Sequence, residues 1–134
     1  MSIMDSQRRR YGRQAQSGIL ALVDSAKARI PEVSVADVME MRARGDVMTL
    51  IDTREESEWA RGHIAGAIHI SKGVIERDVE RTVSEKDALL VLYCGGGFRS
   101  ALAADALHQM GYINAVSMDG GWRGWTAADG ETSD

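Results

Sequence analysis

Two hydrophobic rhythms alternate along the chain. In the first, apolar residues follow one another in short runs at 47–52, 89–93 and 115–118, with briefer candidates at 32–35 and 67–70. Runs of this kind predict strands buried on both faces, as in a parallel sheet. In the second, apolar residues recur every third or fourth position, the spacing of one helix face. Ile19, Leu20, Leu22, Val23, Ala26 and Ile30 predict a helix over 18–30 that Pro31 stops. Ser34 is a candidate N-cap for a helix carrying Val35, Val38, Met39 and Met41 and ending at Gly45. Further helices are predicted at 55–61, with Trp59 turned inward, at 71–83, from Ser100 to Gly111, and briefly over 120–125. A turn is expected at 62–66.

This alternation predicts an α/β fold, a central parallel sheet with helices on both faces. One domain is expected over 32–126, preceded by a flexible arm at 1–17 and an N-terminal helix at 18–31, and followed by a flexible acidic tail at 127–134. A chain of 134 residues that is 44% hydrophobic and 27% charged has enough apolar surface for one core. Its net charge of −4 argues against nucleic acid as a partner. The single cysteine forbids an intramolecular disulfide, and no Cys/His cluster has zinc spacing, so no metal or cofactor is expected. No apolar run approaches the ~20 residues that span a bilayer. The Arg8-Arg9-Arg10 cluster precedes an apolar stretch at 19–23 that runs into Asp24 and Lys27, too short for an export signal. A reducing, cytoplasmic setting is expected. His63, His69 and His108 read as structural residues whose ring nitrogens satisfy backbone groups.

One stretch carries the chemistry. Cys94 stands where the run 89–93 breaks into Gly95, Gly96 and Gly97, followed by Phe98, Arg99 and the helical pattern from Ser100. Strand, glycine turn and helix start together direct backbone N–H groups and a helix dipole toward one point, a cradle for an anion. A thiolate at the rim of that cradle has a lowered pKa, and Arg99 adds positive charge beside it. A lone cysteine is often only a small core hydrophobe; the three glycines and the arginine favour a nucleophile at a partly exposed loop position. Gly97 is expected to take a positive φ or to approach the sulfur closely.

Cys94-Gly95-Gly96-Gly97-Phe98-Arg99-Ser100 resembles the Cys-x-x-Gly-x-Arg-Ser active-site loop of single-domain rhodaneses, the sulfurtransferases. The stretch Leu50-Ile51-Asp52-Thr53-Arg54-Glu55, followed by Gly62-His63-Ile64-Ala65-Gly66-Ala67, is similar to the family's upstream signature, and Asp119-Gly120-Gly121-Trp122 with Trp125 to its C-terminal one. The resemblance implies the small three-layer rhodanese fold and sulfur transfer through a persulfide on Cys94, with residues 95–100 as the binding loop. Donor and acceptor would be small molecules or proteins. Asp52 and Arg54 are implied as a structural ion pair supporting the site, and Glu58 has no catalytic partner. Two other functions stay open: a Cys-x5-Arg phosphatase or arsenate reductase, whose arginine would fall at position 100 where this chain has Ser100, and a non-catalytic binding or regulatory module. Because positions 95 and 96 carry no charge, Arg99 is the only cation in the loop, and weak use of thiosulfate is expected. The physiological donor, the acceptor and the oligomeric state stay open.

Overall fold

The predicted strands assemble into one parallel sheet. A computed structural model describes residues 17–134. The expected arm therefore lies outside the described residues except for Ser17, whose hydroxyl accepts from the Leu20 N–H at 3.2 Å and caps the first helix. In chain order the elements are α1 (Gly18–Lys27), β1 (Glu32–Val33), α2 (Val35–Ala43), β2 (Thr49–Asp52), α3 (Glu56–Ala60), β3 (His63–Ile64), β4 (Ile68–His69), a 3-10 turn (Lys72–Val74), α4 (Ile75–Thr82), β5 (Leu90–Tyr93), α5 (Phe98–Gln109), β6 (Ala115–Met118), α6 (Gly121–Ala127) and β7 (Thr132–Ser133). Ser34 caps α2 through a reciprocal pair: its hydroxyl accepts from the Asp37 N–H, and the Asp37 carboxylate from the Ser34 N–H.

The main sheet runs β1-β6-β5-β2-β4, every neighbouring pair parallel. Residues alternate faces along each strand. Leu90 and Leu92 of β5 therefore join Ile51, Ile75, Val79, Ala104 and Leu107 on one side, while Val91 and Tyr93 join Val38, Leu50, Ile64, Met118 and Trp125 on the other. The result is three layers, as predicted. Strand β5 leads through α5 to β6 on one side, whereas β2 leads to β4 on the other. The two central strands are thus where the connections diverge, and a crevice opens beyond their carboxyl ends. Asp52 pairs in register with Tyr93 there, so the residues that follow both strands emerge together.

Helix α1 buries Val23 and Ala26, and just beyond its end Arg29 holds Asp105 of α5 with two hydrogen bonds of 2.9 and 2.7 Å. Two local expectations need correcting. Trp59 does not turn fully inward; it is half-buried and stacks on His63 at 3.4 Å and on His69 at 5.1 Å between ring centroids. The turn at 62–66 includes strand β3. In the acidic tail, Thr132 and Ser133 pair antiparallel with Ile64 and His63. The Glu131 carbonyl also accepts from the Trp125 indole at 3.0 Å and the Ala65 N–H at 3.1 Å. Backbone pairing places this segment whatever its side-chain polarity.

Candidate active site

Residues 94–97 leave the carboxyl end of β5 and enter α5, and the start of α6 imposes their shape from outside. The Trp122 N–H donates to the Cys94 carbonyl at 2.7 Å, the Arg123 N–H to that of Gly95 at 3.1 Å, and the Gly120 N–H to that of Gly96 at 3.3 Å. A trans peptide is planar, with C=O and N–H on opposite sides, so three carbonyls fixed outward turn the N–H groups of Gly95, Gly96 and Gly97 inward. The Gly97 N–H donates to Cys94 Sγ at 3.0 Å. Gly97 has a φ of +122°, the left-handed half of conformational space that glycine enters without strain. Gly121 makes the closest approach: a Cβ there would lie 2.3 Å from the Cys94 carbonyl oxygen. That glycine lets α6 reach the loop at all.

Cys94 is 1% exposed, so the sulfur forms the floor of a cleft instead of the partly exposed loop position expected. Burial pushes the thiol up. Hydrogen bonds from the Ser100 hydroxyl and from the N–H groups of Ser100, Gly97 and Gly96 outweigh it and hold the thiol below its ordinary value. Ser100 Oγ lies 3.5 Å from the sulfur and 2.8 Å from Ser117 Oγ. With Ser117 donating to Ser100, the Ser100 proton is left for the thiolate. Only the thiolate alkylates, so the iodoacetamide rate should rise through a midpoint lowered from that of an ordinary cysteine. Ser100→Ala should move that midpoint up more than Arg99→Ala does, and the reverse order would show that the arginine, not the hydrogen bonds, sets thiol acidity.

Arg99, the cation of the loop itself, is tied to a carboxylate. Its Nη1 and Nη2 donate to the two Glu58 carboxylate oxygens at 2.6 and 3.2 Å. The hydrogen bond from Arg99 is the main reason the Glu58 carboxyl is held down at about 2. Glu58 thus has a structural task, fastening the loop arginine to α3. A second arginine enters from α6. Ile19, Cys94, Gly96, Phe98, Arg99 and Arg123 line a cleft of about 330 Å³. Ile19 brings the N-terminal helix into the site wall. Lys27 of the same helix lies 5.9 Å from the Phe98 ring centroid and bridges Glu32 and Asp119 at 3.3 and 3.6 Å. A larger hollow of about 620 Å³ beside β4, lined among others by Glu55, His69, Ser71 and Arg81, contains no thiol.

Asp52 and Arg54 do not line the Cys94 cleft. They form a buried ion pair, 0% and 3% exposed, in which Arg54 Nη2 donates to Asp52 Oδ2 at 2.8 Å and to the Gly62 carbonyl at 2.7 Å. The Arg54 guanidinium lies 4.7 Å from the Trp122 ring centroid, and the Trp122 N–H holds the Cys94 carbonyl. The pair therefore reaches the loop through one tryptophan. All three histidine rings meet backbone carbonyls: His63 Nδ1 that of Trp59 at 3.3 Å, His69 Nε2 that of Arg54 at 2.8 Å and His108 Nε2 that of Ala115 at 2.7 Å. A carbonyl only accepts, so each of these nitrogens carries the proton.

Sequence reasoning missed Arg123 and Ile19. Arg123 directly follows the quoted Gly-Gly-Trp signature, which was the one available signal, whereas nothing in the sequence marks Ile19 as a site residue. Among the described residues no helix is long and apolar enough to cross a membrane.

The rhodanese-like domain family model matches residues 34–128. The putative sulfur carrier protein YrkF of Bacillus subtilis is 29% identical over 97 residues, 72% of this chain but 51% of its own length, so the chain spans about half of that relative. The putative sulfurtransferase YtwF of the same organism is 35% identical over 103 residues, 77% of this chain and 94% of the relative. Thiosulfate sulfurtransferase GlpE of Pseudoalteromonas translucida is 31% identical over 99 residues, 74% of this chain and 91% of the relative. Among solved structures, a Rhodopseudomonas palustris protein of unknown function described as a possible tyrosine phosphatase superposes with a TM-score of 0.78 at 29% identity, covering 88% of this chain and 96% of its own. With the glycine loop, both flanking signatures and the three-layer sheet in place, the chain belongs to the rhodanese-like domain family.

Proposed function

We propose that the chain is a sulfurtransferase in which Cys94 carries a sulfane sulfur from a donor to a thiophilic acceptor. The observation that carries this reading is the convergence of the Gly96, Gly97 and Ser100 N–H groups and the Ser100 hydroxyl on one sulfur at the floor of an open cleft. The Cys94 thiolate attacks the outer sulfur of the donor, the donor's sulfur–sulfur bond breaks, and its electron pair leaves with the remainder, sulfite when the donor is thiosulfate. The new terminal sulfur carries the negative charge. The same donors that stabilise the thiolate can follow that charge outward, as an oxyanion hole does for oxygen. An acceptor thiolate or cyanide then takes the sulfur and returns Cys94 as thiolate. Asp52 and Arg54 hold the loop's support and take no proton. A lone thiolate that must stay reduced suits the cytoplasm.

The description of the Rhodopseudomonas palustris protein as a possible tyrosine phosphatase gives the phosphatase reading a specific observation. Against it, the loop arginine is Arg99, one residue earlier than a Cys-x5-Arg loop requires, and its guanidinium is engaged by Glu58. Incubation with thiosulfate and separately with a chromogenic phosphate ester, followed by intact mass measurement, distinguishes the functions. Sulfur transfer predicts the mass gain of one sulfur, reversed by cyanide, with no ester hydrolysis. Ester turnover without sulfur loading would replace the reading with a phosphatase, and neither reaction would leave a non-catalytic module.

A further inference from the structure

The loop is neutral at positions 95 and 96, yet a cation stands over it. A Cβ built on Gly96 would lie 2.2 Å from Arg123 Nη2 and 3.3 Å from its Cζ, so the Arg123 guanidinium occupies the space that a side chain at 96 would fill. Arg123 lines the cleft with Cys94, its side chain makes no ion pair among the described residues, and its main chain is tied to the loop through its N–H on the Gly95 carbonyl. Arg99, the other guanidinium in the cleft, is neutralised by Glu58. Lys27, nearest the Phe98 side of the cleft, is shared between Glu32 and Asp119. We propose that Arg123 binds the oxyanion end of the sulfur donor and so determines whether anionic donors such as thiosulfate are used.

This inference rests on the sulfur-transfer reading for its biological meaning but not for its test. It runs against the expectation that a neutral loop leaves thiosulfate poorly held, since on this proposal the charge that the loop lacks comes from α6. Gly96 is then a glycine for space, because a larger residue would push the guanidinium off the loop. An arginine offers a planar fork that matches two oxygens of a sulfonate, and that contact forms before the sulfur–sulfur bond breaks. Removing it therefore raises KM far more than it lowers kcat. A hydropersulfide, which presents no sulfonate, loses much less.

Arg123→Gln is the direct variant, and since Arg123 is exposed the fold should survive, which a thermal melt checks. Its KM for thiosulfate should rise roughly ten- to a hundredfold, the worth of one or two charge-assisted contacts. Adding Gly95→Lys to that variant should recover much of the loss. Binding is read separately from turnover by titrating thiosulfate into Cys94→Ser and following backbone amide shifts of residues 95–97. Saturable shifts in Cys94→Ser that are lost in Cys94→Ser/Arg123→Gln support the proposal, even if wild-type protein loads no sulfur from any donor and the sulfur-transfer reading falls. Equal thiosulfate binding with and without Arg123, no binding to Cys94→Ser at all, or an unchanged KM in Arg123→Gln would each overturn it.

Discussion

Replacing Cys94 by Ser should reduce sulfur loading by roughly a thousandfold or more while leaving the protein folded, because the hydroxyl is not ionised at neutral pH and no second thiol exists to take over. The site is buried, so tolerance of the substitution cannot come from exposure. It comes from partners. The introduced hydroxyl would face the Gly97 N–H, now 3.0 Å from the sulfur, and Ser100 Oγ, now 3.5 Å away. A buried hydroxyl with a donor and an acceptor in reach costs little compared with an unsatisfied one, which forfeits about 1–3 kcal/mol. Intact mass after thiosulfate treatment, together with a urea melt, tests both halves. Persistent one-sulfur loading of the serine variant would remove Cys94 from the mechanism, and a collapsed melt would mean that the thiol also holds the loop together.

Asp52→Ala should be more destabilising than any other substitution proposed, by about 3–5 kcal/mol, because it strands the buried Arg54 guanidinium without its carboxylate. That is a large part of the ~5–15 kcal/mol that holds a domain of this size. The Gly62 carbonyl still accepts from Arg54, so one hydrogen bond survives, but a neutral carbonyl does not replace the lost charge. Arg54 also lies over Trp122, and Trp122 anchors the Cys94 carbonyl. The loss should therefore extend to the loop, with sulfur loading falling at temperatures where most of the protein is still folded. Urea denaturation of Asp52→Ala and of the double variant Asp52→Ala/Arg54→Met measures the effect. If the single variant loses less than about 1 kcal/mol, the range of an exposed pair, the buried pair is not what supports this end of the sheet. If the double variant is no more stable than the single one, the cost is not that of an uncompensated charge.

The sequence by itself determined what depends on neighbours along the chain. Strand and helix order followed from the two hydrophobic rhythms, because each periodicity expresses which face of a local element must be buried. The Ser34 cap, the end of α1 before Pro31 and the positive φ of Gly97 were equally local, as was the proximity of Asp52 to Arg54 two residues on. The tertiary structure decided everything that required two distant segments to meet. Arg99 and Glu58 are 41 residues apart, and only the folded chain brings the Glu58 carboxylate to the loop's cation and neutralises it. Arg123 reaches Gly96 because α6 starts at a glycine that lets it touch the loop, and the polar tail is held because β3 offers it backbone groups to pair with. Side-chain polarity predicts exposure, not partners. Which charge stays available to a donor is settled by which carboxylate the fold brings within hydrogen-bonding distance, and that is a property of the assembled sheet and helices.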